Sequence, residues 1–140
     1  MNPLRSRLLT AVAAFLMISC ASKNTNDTDQ KAVASDGVWK EMDDFHMIMA
    51  ETFHPYKDSS NLEPAKSRAD ELLKAANEWA SAPLPERVDN EEMRSQLEQL
   101  RSGAATLAES VRSSDDNVVA SHLTELHDTF HVIQEAWYGH

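Results

Sequence analysis

Met93-Arg94-Ser95-Gln96-Leu97-Glu98-Gln99-Leu100-Arg101-Ser102-Gly103-Ala104-Ala105-Thr106-Leu107-Ala108-Glu109-Ser110-Val111 is the stretch on which the fold turns. Met93, Leu97, Leu100, Ala104, Leu107 and Val111 follow in alternating steps of four and three, the period of one face of an α-helix and not of a strand. Asp89 and Glu92 stand just before it at capping-box spacing, with aspartate where serine or threonine is usual.

The same period extends outward in both directions. Upstream, Leu62, Ala65, Ala69, Leu72, Leu73, Ala76 and Trp79 or Ala80 form an apolar face. It opens with Asn61 as a cap and Pro64 in the first turn, where a missing N–H costs nothing, and Pro83-Leu84-Pro85 ends it. Before that, Val38, Met42, Phe45, Met49 and Phe53 make a stripe expected to stop at His54-Pro55, because proline pushes the residue before it out of the helical region. Downstream, Ser113-Ser114-Asp115-Asp116 supplies a break and a cap, and Val119, Leu123, Leu126, Phe130, Ile133 and Trp137 form the last stripe. Four helices of similar length on short loops predict an all-α, antiparallel up-and-down four-helix bundle over residues 37–140, with the first and last helices as neighbours.

The first 36 residues read differently. Arg5 and Arg7 precede an uncharged, mostly apolar run from Leu8 to Ile18, the order of parts in a bacterial signal peptide over residues 1–19. The run is about half the roughly 20 residues a membrane-spanning helix needs. Leu16-Met17-Ile18-Ser19-Cys20 resembles a lipobox, with Met17 departing from the usual leucine. The resemblance implies cleavage before Cys20, the only cysteine, and its modification with fatty-acyl chains such as palmitate. The other reading of Cys20 is a buried free thiol. Two acyl chains anchor stably where one is marginal, and residues 20–36 are polar and aperiodic, as a tether should be. The expected location is therefore the cell envelope, reached by the general export pathway, on a periplasmic or outer-membrane face; Ala21 is compatible with transfer to an outer membrane.

The whole chain has 13 Lys+Arg against 23 Asp+Glu, and without Arg5 and Arg7 the remaining 11 against 23 leave a formal charge of −12. Such a surface repels nucleic acid and suits cationic partners or divalent metals.

Five of the six histidines, His46, His54, His122, His127 and His131, fall on the first and last helices. His127 and His131 lie one turn apart on one face, flanking Phe130, and His46 sits at the edge of the first stripe. For helices running from about 37 to 54 and 116 to 137, position 46 comes level with 125–127 and position 42 with 129–131. His46 would then face His127, and a His-x-x-x-His pair with a third imidazole across the seam suits one transition-metal ion, zinc or copper. Asp128 or Glu135 would orient a ring N–H or serve as a further ligand, and Met42 and Met49 would suit a softer ion such as copper(I) or a haem iron. The alternative is that these are amphipathic boundary residues, since no HExxH, CxxC or CxxCH motif accompanies them. His54 can also be read as a cation at a helix C-terminus, His122 and His140 as solvated, and Met42, Met49 and Met93 as core.

With Met42 early in the first helix and His131 in the last, residues 37–138 resemble the periplasmic bundle cytochromes, whose b-type haem is held by a methionine of the first helix and a histidine of the last. The resemblance implies Met42 and His131 as axial ligands of a non-covalent haem. The family histidine lies nearer the chain end than His131 does, and without CxxCH covalent haem is excluded.

Two functions stand against each other: an envelope protein that binds a transition-metal ion, or haem, through these histidines, and a cofactor-free acidic module that docks on another envelope protein. An enzyme is not expected. The chain has three glycines, no phosphate loop and no serine elbow, and a hydrolytic centre with Glu51 or Asp128 as base has no substrate pocket to argue from.

Overall fold

The first helix does not end at Pro55. The computed structural model describes residues 37–113 and 115–139; the segments read as signal peptide and tether, with Cys20, and also His140 lie outside them. Within them α1 spans Lys40–Ser59 with Pro55 inside it. The bond that proline cannot donate would go to the carbonyl of Glu51, an exposed residue, so the break costs α1 one hydrogen bond at its surface. Packing also continues across the proline, with the Tyr56 ring edge-on to Phe53 at 6.0 Å. What stops α1 is Ser60, in the left-handed region at φ 56°. Its N–H bonds to the Tyr56 carbonyl at 2.7 Å, and the Asn61 N–H reaches the Pro55 carbonyl at 3.1 Å.

The other three helices are α2 (Glu63–Ser81), α3 (Glu91–Ser113) and α4 (Asp116–Tyr138), with a single 3₁₀ turn at Glu86–Val88 between α2 and α3. Their starts are fixed by side chains accepting the N–H groups a first turn leaves free. Asn61 Oδ1 accepts from the Glu63 N–H at 3.1 Å. At α3 the cap is Asn90 and not Asp89: Asn90 Oδ1 accepts from the Met93 N–H at 2.8 Å, while Asp89 pairs with Arg94. Asn90 immediately precedes the helix, so its short side chain reaches the third residue; Asp89 stands one residue too early. Asp115 caps α4 by accepting from Asn117 and Val118 N–H at 2.9 and 3.2 Å. Asp115→Ala is expected to lower stability by about 1 kcal/mol, read as a shift of the urea midpoint with an unchanged slope.

The four helices form an antiparallel four-helix bundle in which α1–α2, α2–α3 and α3–α4 pack closely, and α1 and α4 close the square with the loosest contact of the four. The predicted stripes of α2 and α4 are buried or half-buried throughout, as is that of α3. Gly103 sits where α3 lies close to α4: a Cβ there would be 3.3 Å from Leu126 Cδ1, a tight contact. The first stripe begins with Trp39, the buried residue that caps α1, and not with Val38, which is 51% exposed.

Large aromatics fill one end of the bundle, where α1 and α3 begin and α2 and α4 finish. Trp39 touches Trp79 and Trp137, both at 5.2 Å between ring centroids, and Trp79 continues to Phe45 at 5.7 Å and Phe130 at 6.3 Å. The Arg87 guanidinium covers Trp137 from outside, 3.2 Å above the ring. Between helices, Arg68 pairs with Glu51 and Arg112 with Asp70, while Lys66 reaches Asp116 at 2.6 Å. Exposed pairs of this kind contribute about 0–1 kcal/mol each, so apolar packing sets the stability. Among the described residues no helix is long and apolar enough to cross a membrane.

Candidate metal centre

The extension of α1 past Pro55 moves its midpoint about one turn toward the C-terminus, and the register against α4 moves with it. Trp39 meets Trp137; His46 stacks on Phe130 at 5.1 Å; Phe53 stacks on His127 at 3.7 Å and 10°. The expectation that His46 comes level with residues 125–127 is thus corrected: it lies level with Phe130, and the residue that faces His127 across the seam is Phe53.

His127 and His131 do meet. Their Nε2 atoms are 3.1 Å apart, with ring centroids at 4.4 Å and planes at 72°. The helix brings them together because positions four apart lie one turn above each other on one face. Phe53 forms the floor under His127, whose side chain is 21% exposed, and Phe130 adjoins His131 at 5.6 Å; His131 itself is exposed. Asp128 Oδ1 lies a long 3.5 Å from His127 Nδ1. A carboxylate there favours the proton on Nδ1 and leaves the Nε2 lone pair directed at His131.

The remaining predicted residues surround this pair without joining it. His46 and His54 on α1 are exposed, and His54 is near enough for its charge to act on His127. His54 lies within α1 and not at its C-terminus. Among the described residues no group of three or more His, Cys, Asp or Glu side chains converges to hold an ion. Met42 is 1% exposed in the core, whereas His131 is at the surface with its Nε2 turned to His127. Glu135 is exposed one turn beyond His131, and its carbonyl accepts the Gly139 N–H at 2.9 Å. Glu51 is engaged by Arg68. His122, read as solvated, is half-buried with Nδ1 sealed from solvent and without a hydrogen-bond partner among the described residues. Sequence reasoning also passed over Phe53 as a site residue. The signal for it was its place beside His54 on the stripe, which becomes informative only once the register is known.

Burial holds the His127 imidazole below the ordinary histidine pKa of 6.5, His131 and His54 push it the same way, and Asp128 opposes them. The ring is therefore mainly neutral, as a metal ligand must be, at neutral pH. With a folded-state pKa below the unfolded one, folding releases protons at this site. Its contribution leaves stability untouched above pH 6.5 and destabilises progressively as pH falls from there through the lowered value. In chelator-treated protein, the melting temperature should fall between pH 7 and 5 less steeply in His127→Phe, which keeps the stack on Phe53, than in the parent. Parallel curves would contradict it.

No protein-family model matches the chain, and neither a curated protein nor a solved structure matches it.

Proposed function

We propose that this protein is a lipid-tethered envelope protein that takes up a transition-metal ion at His127 and His131, with His46 and His54 of α1 flanking the same seam. The observation that carries the reading is the 3.1 Å separation of the two Nε2 atoms. Two nitrogens each 2.0–2.1 Å from one ion and that far apart subtend about 98° at the metal, an angle open to common coordination geometries. The neutral state of His127, the Asp128 carboxylate behind it and the acidic surface all favour a cation there. The tether rests on the lipobox at Leu16–Cys20.

The test is equilibrium dialysis of the full chain, purified without an affinity tag and stripped with chelator, against zinc or copper salts. About one ion per chain is expected, and none in the His127→Ala/His131→Ala double variant. A wild-type chain that takes up neither ion would leave the acidic interaction module in its place. For the tether, Cys20→Ser should move the protein from the membrane fraction to the soluble fraction of expressing cells; unchanged fractionation would remove the anchor from the proposal.

A further inference from the structure

The donor set narrows the choice of ion, and this step rests on the metal reading above. Two imidazole nitrogens are what the helix offers, on a face where His131 is exposed and His127 partly so, leaving the other coordination positions to water. Closed tetrahedral zinc sites take four protein ligands, and even catalytic ones take three. Copper(I) prefers thiolate and thioether sulfur, but Met42 and Met49 are each 1% exposed in the core and Met47 belongs to the exposed surface of α1. An open site of two nitrogens plus water suits a divalent ion of tetragonal preference, and cupric ion heads the affinity order for nitrogen and oxygen donors.

We infer that the pair His127 and His131 is an exchangeable cupric-ion site, with the two Nε2 atoms bound in adjacent positions and water completing the sphere. On binding, each ring gives its Nε2 lone pair to the ion in place of a water ligand, and the proton that His131 Nε2 shares with His127 in the free pair moves through solvent to His131 Nδ1, so both rings stay neutral and no proton is lost overall. Because solvent occupies the open positions, the ion passes to a competing ligand by stepwise substitution without unfolding of the bundle. Asp128 acts as a positioning residue through His127, holding the tautomer that aims the Nε2 lone pair at the ion.

The deciding experiment titrates the untagged full chain with cupric, nickel and zinc chloride, followed by competition and by electron paramagnetic resonance of the copper form. Copper should bind tighter than nickel or zinc by more than about tenfold, with a tetragonal signal split by two nitrogens. His131→Ala should lose one nitrogen coupling and more affinity than Asp128→Asn, for which a loss of about 10–100-fold is expected. His46→Ala and His54→Ala should leave the two-nitrogen spectrum unchanged and cost far less affinity than His131→Ala, and circular dichroism should show every variant helical. Zinc binding as tightly as copper, or a loss of affinity in His46→Ala or His54→Ala equal to that in His131→Ala, overturns the cupric two-imidazole site while metal binding itself stands. Binding of none of the three ions defeats the parent reading instead.

Discussion

Replacing Trp79 with alanine should cost about 3–5 kcal/mol, a large fraction of what holds a domain of this size together, since folded domains are stable by only about 5–15 kcal/mol. Trp79 is 1% exposed and touches Trp39 just before α1, Phe45 on α1 and Phe130 on α4. Deleting the indole opens a cavity that α1, α2 and α4 must share, and rigid rings collapse into it poorly. A second variant separates packing from polarity. The Trp79 Nε1–H is buried without an acceptor among the described residues, as are those of Trp39 and Trp137. An unpaired buried donor is itself costly, by about 1–3 kcal/mol. Trp79→Phe discards that donor along with part of the volume, so its loss should be well under half that of Trp79→Ala. Urea unfolding of both variants measures this, and a loss below about 1 kcal/mol for the alanine variant would mean that the aromatic end is not the packed centre described here.

The helices were legible because their apolar residues repeat at three and four over long runs, and because the side chain that ends a run is usually short-range chemistry. Asp115, Asn61 and the Pro83-Leu84-Pro85 stop could all be read locally. The errors arose where two local rules competed. Pro55 predicts a stop, but the rule concerns a local preference, and α1 continues past it to Ser59 with Tyr56 edge-on to Phe53 across the proline. Asp89 and Asn90 are both good caps, and only the position of the first helical residue decides between them. Val38 and Trp39 are both apolar and both precede α1, and only Trp39, its extended N-cap residue, turns into the core.

The candidate site shows how one such error propagates. The pairing of His127 with His131 lies within a single helix, so the spacing alone predicts it, and the 3.1 Å contact follows. The partner across the seam depends on where both helices begin and end. Ending α1 at Pro55 placed its centre about one turn too early and set His46 against His127, where Phe53 in fact lies. Ion pairs and ring stacks between helices are long-range consequences of helix length, and a single sequence constrains them only as well as it constrains the caps.

The largest effect expected at the site itself is on thermal stability. A ligand that binds the folded chain alone, at one hundred times its dissociation constant, stabilises by about 2.7 kcal/mol. In a domain of about 100 residues each kcal/mol moves the melting temperature by about 4–8 °C, so saturating cupric ion should raise it by about 10–20 °C. Unfolded His-x-x-x-His segments also bind metal weakly, which lowers the gain toward the bottom of that range. The gain requires the helix, because only a formed α4 holds His127 and His131 on one face with their Nε2 atoms converging. His131→Ala, at an exposed position, should therefore melt near the chelator-treated parent temperature and show much less of the rise with copper. An equal copper-dependent rise in parent and variant would place the ion elsewhere on the chain, and no rise in the parent would show that the two imidazoles share a hydrogen bond and nothing more.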